Sequence, residues 1–241
     1  MSLLNLPESS NRGRIGQEYY DSEYFQRGAH LTDPNSRFHQ YRVRNVLELL
    51  APSPGDRVVD LGCGWGTVTF ALADRVTEAI GVDYSEKSVA LCNQRLGREP
   101  HANLRFLHAD ARATGLPAGA FDAVVAADLY EHLYPEDAKV VTYEAFRLLR
   151  KGGRFAIWTP HRGHALEILK NNGILLKPDP SHVDYKSMET LTGQLSDAGF
   201  SVSRSFYAPS HLRVFSLLER AFGPLVPALR RRICVLGVKP Q

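Results

Sequence analysis

The sequence predicts an α/β fold: a doubly wound, seven-stranded sheet, mostly parallel, with an antiparallel last strand. Three observations point there. Short apolar runs alternate with amphipathic stretches from Arg57 to Trp158, the rhythm of strand–helix units that cover a sheet on both faces. The run Phe121 to Ala127 is almost wholly apolar, as a parallel strand buried on both sides requires. A glycine-rich turn, Gly62 to Gly66, directly follows the first apolar run and opens a helical stretch.

The elements follow in order. Residues 1–14 are polar, with Pro7, Ser9, Ser10 and Gly13, and read as a loose arm. Tyr19, Tyr20, Tyr24 and Phe25 crowd residues 17–30. Residues 36–50 set Phe38, Tyr41, Val46, Leu49 and Leu50 at near-helical spacing, until Pro52, Pro54 and Gly55 break the pattern. Strands are expected at Arg57–Leu61, Ala79–Val82, Leu104–Leu107, Phe121–Ala127 and Arg154–Trp158. Helices are expected from the glycine turn to about Arg75, from an N-cap at Ser85 to about Leu96, and from Pro135 to Leu149, the last stopped by Gly152 and Gly153. Residues 160–186 break the rhythm and carry His161, His164 and His182. A helix over Ser187–Ala198 leads to two last strands, Phe200–Tyr207 and Ile233–Val238. Between them an apolar helical stretch, Leu212–Phe222, is expected to join the core, with a substrate wall or a dimer contact as alternatives.

Bulk numbers narrow the setting. The 241 residues suffice for one well-cored domain, and 44% apolar with 23% charged residues is ordinary for a globular chain. A net charge of +3, with Arg230, Arg231 and Arg232 as the densest basic run, does not argue for nucleic acid. Cys63, Cys92 and Cys234 are scattered and odd in number, which fits neither a disulfide framework nor cysteine metal spacing. Met1 to Arg14 lacks the apolar core of a signal peptide, and no apolar run approaches the roughly 20 residues of a membrane span. A cytoplasmic protein without membrane partners is expected, as monomer or homodimer.

The run Val58-Val-Asp-Leu-Gly-Cys-Gly-Trp-Gly66 supplies backbone that can approach a ligand closely. A dinucleotide fingerprint wants glycine at position 67, where Thr67 stands. Asp60, just ahead of the first glycine, suits a cationic amino-acid ligand. From about residue 42 to 239 the chain resembles the class I S-adenosylmethionine (SAM) dependent methyltransferases, nearest to the small-molecule group that includes ubiquinone-pathway O-methyltransferases. The resemblance implies a Rossmann-like fold, with an arm or lid over residues 1–41 and a SAM-binding domain over 42–241 that carries caps at about 160–186 and 208–230. It implies that the loop with Asp60, Gly62, Cys63, Gly64 and Gly66 holds the methionine part of SAM. Asp83, beside Tyr84, would bind the ribose hydroxyls, for which a carboxylate is apt. Asp110, beside Ala111, would meet the adenine amine. The stretch from Phe121 to Leu133, with Asp128, would line the sulfonium end.

Methyl transfer needs alignment and, for a hydroxyl acceptor, removal of a proton. Two clusters offer such groups: Asp128, Glu131 and His132 after the fourth strand, and His182, Asp184 and Tyr185 after the fifth. His182, Glu131 and Asp128 are the candidate catalytic residues. Tyr20, Tyr24, His132, His161, Asp184 and Tyr185 are the candidates for acceptor contact, and the N-terminal aromatics suit a lid over the sulfonium. In metal-dependent relatives a Glu-x-x-Glu-His run and a later histidine hold a divalent ion; Asp128, Glu131, His132 and His182 would correspond, with Asp in place of the first Glu. A small-molecule acceptor methylated at O, N or C, with S-adenosylhomocysteine as by-product, is the expected function. A cyclisation or elimination on a structurally bound cofactor is the alternative. Nucleic-acid methylation is disfavoured, because Asp128-Leu-Tyr-Glu131 stands where an Asn-Pro-Pro-Tyr motif would.

Overall fold

The computed structural model describes residues 15–22, 36–164, 168–169, 179–210, 213–223 and 225–241. Tyr24 and Phe25 lie outside these residues, as does Leu212. A short α1 (Gln17–Asp21) and α2 (Arg37–Leu50) precede the sheet. Ser36 caps α2 by accepting the His39 N–H. Then come β1 (Arg57–Leu61), α3 (Thr67–Leu72), β2 (Glu78–Asp83), α4 (Glu86–Arg98), β3 (Leu104–His108) and β4 (Phe121–Ala127). The chain continues with α5 (Pro135–Leu148), β5 (Leu149–Pro160), α6 (Met188–Asp197), β6 (Ser201–Ala208), α7 (Arg213–Phe222) and β7 (Arg232–Val238).

The sheet order is β3-β2-β1-β4-β5-β7-β6. The first five strands pair in parallel, and β7 inserts antiparallel between β5 and β6. Strand order reverses between β1 and β4, so the carboxyl ends of these strands splay apart and leave a crevice for a ligand. Two apolar layers flank the sheet. One, on Ile80, Phe121, Val124 and Phe155, takes α5 and α6. The other, on Val58, Val125 and Trp158, takes α2 and α3. A buried Leu-sized side chain contributes about 1.5–3 kcal/mol, so these layers dominate stability.

Three expectations are corrected. Gly152 and Gly153 do not stop α5. Leu149 is already extended and pairs with Phe121, and the glycines lie in an irregularity of β5, where Gly152 turns at φ 74°. The helix after the glycine turn ends at Leu72, short of Arg75. The stretch after β6 does not fill the core: Leu217 is 70% and Leu225 81% exposed. No helix among the described residues is long and apolar enough to cross a membrane.

Candidate active site

The glycine loop is tied to the end of β2. The N–H groups of Gly62 and Cys63 both donate to the Val82 carbonyl, at 2.8 and 3.0 Å. Gly64 N–H donates to Asp83 Oδ2 at 2.7 Å, and Ser85 N–H to Oδ1 at 2.9 Å. Gly62 turns at φ 68°, and a Cβ there would stand 2.8 Å from Leu129 Cδ1. At Gly64, φ 52°, a Cβ would meet nothing within 4 Å. The first glycine thus permits packing, and the second faces open space.

That space is a cavity of about 300 Å³ at the carboxyl ends of the strands. Gly62, Gly64, Asp83 and Tyr84 line it, with Asp110, Ala111, Arg112 and Asp137. Asp128, Leu129 and His132 line it too, Leu129 next to Gly62, and so do Ile15, Gly16 and Tyr20 of the N-terminal segment. The arm is docked: Asp21 accepts the Ser85 hydroxyl at 2.5 Å, and Gln17 Nε2 lies 3.3 Å from His108 Nε2. Burial pushes the Asp83 carboxyl above its usual range, against the bonds from Ser85 and Gly64. Burial also acts on Asp110, but the Arg112 guanidinium outweighs it and holds that carboxyl low. Arg112 grips Asp110 through Nε and Nη2 and reaches Asp137 at 2.8 Å.

Three residues of the loop do not line this cavity. Asp60 is 2% exposed and accepts the Thr69 hydroxyl at 2.6 Å; burial lifts its pKa to about 6. Cys63 is buried beside Cys92, whose thiol donates to the Gly64 carbonyl. Gly66 opens α3.

Asp128 directly follows β4 and lies in the left-handed region, φ 57°. Its carboxylate is held by Arg232 at 2.5 Å and Arg42 at 3.1 Å. Burial would raise its pKa, but these two cations keep it low. Neither arginine is legible as a site residue, because α2 and the start of β7 reach Asp128 only in the folded protein.

Behind Asp128 a 3-10 turn, Tyr130–His132, meets the segment after residue 179. The Glu131 carbonyl accepts the N–H groups of Val183 and Asp184, at 2.9 and 3.2 Å. Its side chain is 1% exposed and accepts the Thr159 hydroxyl at 2.9 Å. Burial, helped by Asp128, pushes Glu131 up to about 8. His132 Nδ1 donates to the Ser181 carbonyl at 3.0 Å. The His182 ring stands edge-on to His132 with centroids 4.8 Å apart, and its Nδ1 bonds the Tyr185 hydroxyl at 2.6 Å. Glu131, His132 and His182 each offer a ligand atom within 4.8 Å of the others. The Tyr20 ring also stands edge-on to His132, with centroids 6.1 Å apart. Asp184 bonds the buried Lys186 at 2.5 Å.

His161 does not join this site. Its ring is buried against Tyr207, and its Nδ1 donates to the Arg230 carbonyl at 3.0 Å. His164 is likewise buried, near Glu219.

Residues 58–153 match the model of the methyltransferase domain family. The chain is 31% identical over 182 residues to an uncharacterized methyltransferase of Synechocystis, covering 74% of this chain and 81% of that protein. It is 34% identical over 136 residues to a ubiquinone biosynthesis O-methyltransferase of Ralstonia nicotianae, covering 54% and 56% of the two chains. The chain spans 62% and 42% of the length of two further relatives, from Mycolicibacterium smegmatis and Saccharothrix syringae. Its fold is similar to that of magnesium protoporphyrin IX methyltransferase from Synechocystis, solved with bound S-adenosylhomocysteine, with a TM-score of 0.70 at 21% identity over 92% of this chain and 97% of that one. The strand order, the cavity over the glycine loop and these relatives together show that the chain belongs to the class I SAM-dependent methyltransferases.

Proposed function

We propose that the protein transfers the methyl group of SAM to an O, N or C atom of a small-molecule acceptor. The observation that carries this is the position of His132. It lines the cofactor cavity and also touches His182, so the methyl-donor end of the cavity opens onto groups that can move a proton. Bound SAM supplies an electrophilic methyl on a sulfonium. Asp83 takes the ribose hydroxyls and Asp110 the adenine amine. Tyr20 covers the cavity and excludes water. His182 accepts the acceptor's proton, and Tyr185 at its Nδ1 fixes the ring. Glu131, with its raised pKa, is the second group able to hold a proton. The similarity to a ubiquinone biosynthesis O-methyltransferase supports a hydroxylated ring as acceptor.

The test uses SAM labelled in the methyl group, incubated with the protein and a set of hydroxyl, amine and carbanion-forming acceptors. A product heavier by one labelled methyl, with S-adenosylhomocysteine formed in equal amount, is expected. Binding of S-adenosylhomocysteine with no labelled product from any acceptor overturns transfer and favours a non-methylating reaction on bound cofactor.

The clustering of Glu131, His132 and His182 favours a second reading of the same site, with a divalent ion. Two imidazoles and a carboxylate suit a first-row divalent ion such as Zn²⁺ or Mn²⁺. The Ser181 carbonyl on His132 Nδ1 puts the proton there and presents Nε2 as the ligand atom. Such an ion would lower the pKa of an acceptor hydroxyl. Loss of turnover in chelator, restored by Mn²⁺, is expected; full turnover in chelator disposes of it.

A further inference from the structure

We infer that Arg112 is a positioning residue that makes the cofactor site select adenine, by holding Asp110 as a fixed carboxylate with room for one more donor. The inference rests on the reading above in which Asp110 meets the adenine amine.

Asp110 and Arg112 share a tight turn after β3, closed by the Ala113 N–H on the Asp110 carbonyl at 3.0 Å. Both residues line the cavity. The Arg112 backbone N–H donates to Asp110 Oδ1 at 2.8 Å. The Nε–H is shared between Oδ1 and Oδ2, 3.0 Å from each, and Nη2 donates to Oδ2 at 2.6 Å. One residue thus directs three N–H groups at one carboxylate. A carboxylate accepts at about four positions, so a place for one donor is left. The remaining arm of the fork, Nη1, donates to Asp137 Oδ1 at 2.8 Å. Asp137 stands in the first turn of α5 and also lines the cavity. The planar guanidinium is therefore tied to two elements at once, and the carboxylate it grips at two points is not free to rotate.

The consequence is chemical selection. Burial pushes the Asp110 carboxyl up, and a protonated carboxyl could donate to a ring carbonyl as readily as it accepts from an amine. Arg112 outweighs burial and keeps the group an acceptor only. A purine with an exocyclic amine brings the one missing donor. A purine with a carbonyl there sets oxygen against oxygen and leaves both acceptors unmet.

The test compares two ligands on the full chain by calorimetry: S-adenosylhomocysteine and S-inosylhomocysteine, whose purine carries a carbonyl in place of the amine. The ratio of their Kd values is the readout. A variant that only lowers the folded fraction weakens both ligands alike and leaves that ratio unchanged. The wild type is expected to prefer S-adenosylhomocysteine about 100-fold. In Arg112→Gln and in Arg112→Lys the preference is expected to fall to about 10-fold or less, because lysine restores a charge but not the fork. Asp110→Asn should abolish it, since the amide can turn a donor to the carbonyl. Wild-type preference in either Arg112 variant, with loss in Asp110→Asn, overturns the role of Arg112 and leaves the adenine contact standing. An unchanged preference in Asp110→Asn, or none in the wild type, overturns the adenine contact as well.

Discussion

Asp83 Oδ2 accepts the N–H of Gly64 at 2.7 Å, so the acid that ends β2 and the loop that follows β1 form one unit. The acid shapes the loop before any ribose arrives. Asp83→Ala should therefore lose both a ligand contact and the loop's geometry. Hydrogen bonds to a charged group contribute about 1.5–3 kcal/mol. A rise of about 10- to 100-fold in the Kd for S-adenosylhomocysteine is expected by calorimetry, and an unchanged Kd would contradict the arrangement.

Gly62 and Gly64 share a left-handed backbone and differ in what surrounds them. Gly62→Ala adds a clash 2.8 Å from Leu129 Cδ1, and is expected to cost about 2–4 kcal/mol in urea melts. Gly64→Ala carries only the conformational cost, about 1 kcal/mol. Its methyl group would stand in the cavity, so its main loss should appear in cofactor affinity. Equal destabilisation by the two would count against this division.

Arg232 holds Asp128 from the last strand and lies 5.5 Å from the Phe38 ring centroid. Arg232→Ala leaves Asp128 to Arg42 alone. A loss of about 2 kcal/mol is expected by chemical denaturation. A change below about 0.5 kcal/mol would place this pair with ordinary surface ion pairs.

His164 gives the fold a dependence on pH. Burial, together with Arg231 and Arg232, depresses its pKa from 6.5 to about 4. The unfolded chain gains a proton below 6.5 that the folded chain refuses until about 4. Its contribution is therefore full above 6.5 and is lost as the pH falls through that window, by up to about 3 kcal/mol. His164→Gln should flatten the fall between those two pH values in thermal melts. An unaltered slope would show that other groups carry it.

The sheet and the cofactor end of the site were legible because both are local. Apolar runs mark β1 to β4, Ser85 caps α4, and Asp83 and Asp110 each sit at or just beyond a strand end and do line the cavity. The place of Asp60 before the glycine suggests a ligand, but the partner it has in the structure lies in α3. Its side chain instead points inward to Thr69. His161 offered the right chemistry, but its surroundings come from β6 and the turn before β7. Arg42 and Arg232 contact Asp128 from 86 and 104 residues away, and no local pattern announces such a meeting. Helical periodicity in α7 showed an apolar face without showing that Leu217 faces outward.

The insertion of β7 between β5 and β6 has a consequence for biosynthesis. Nearly all of the cavity wall is encoded before residue 140, yet Arg232 opens the strand that closes the sheet. A nascent chain in which β7 has not yet joined the sheet holds Asp128 with one cation instead of two. Completion of the Asp128 pairing therefore waits for β7, and a chain interrupted before Arg232 carries the glycine loop beside an unfinished ion-pair cluster.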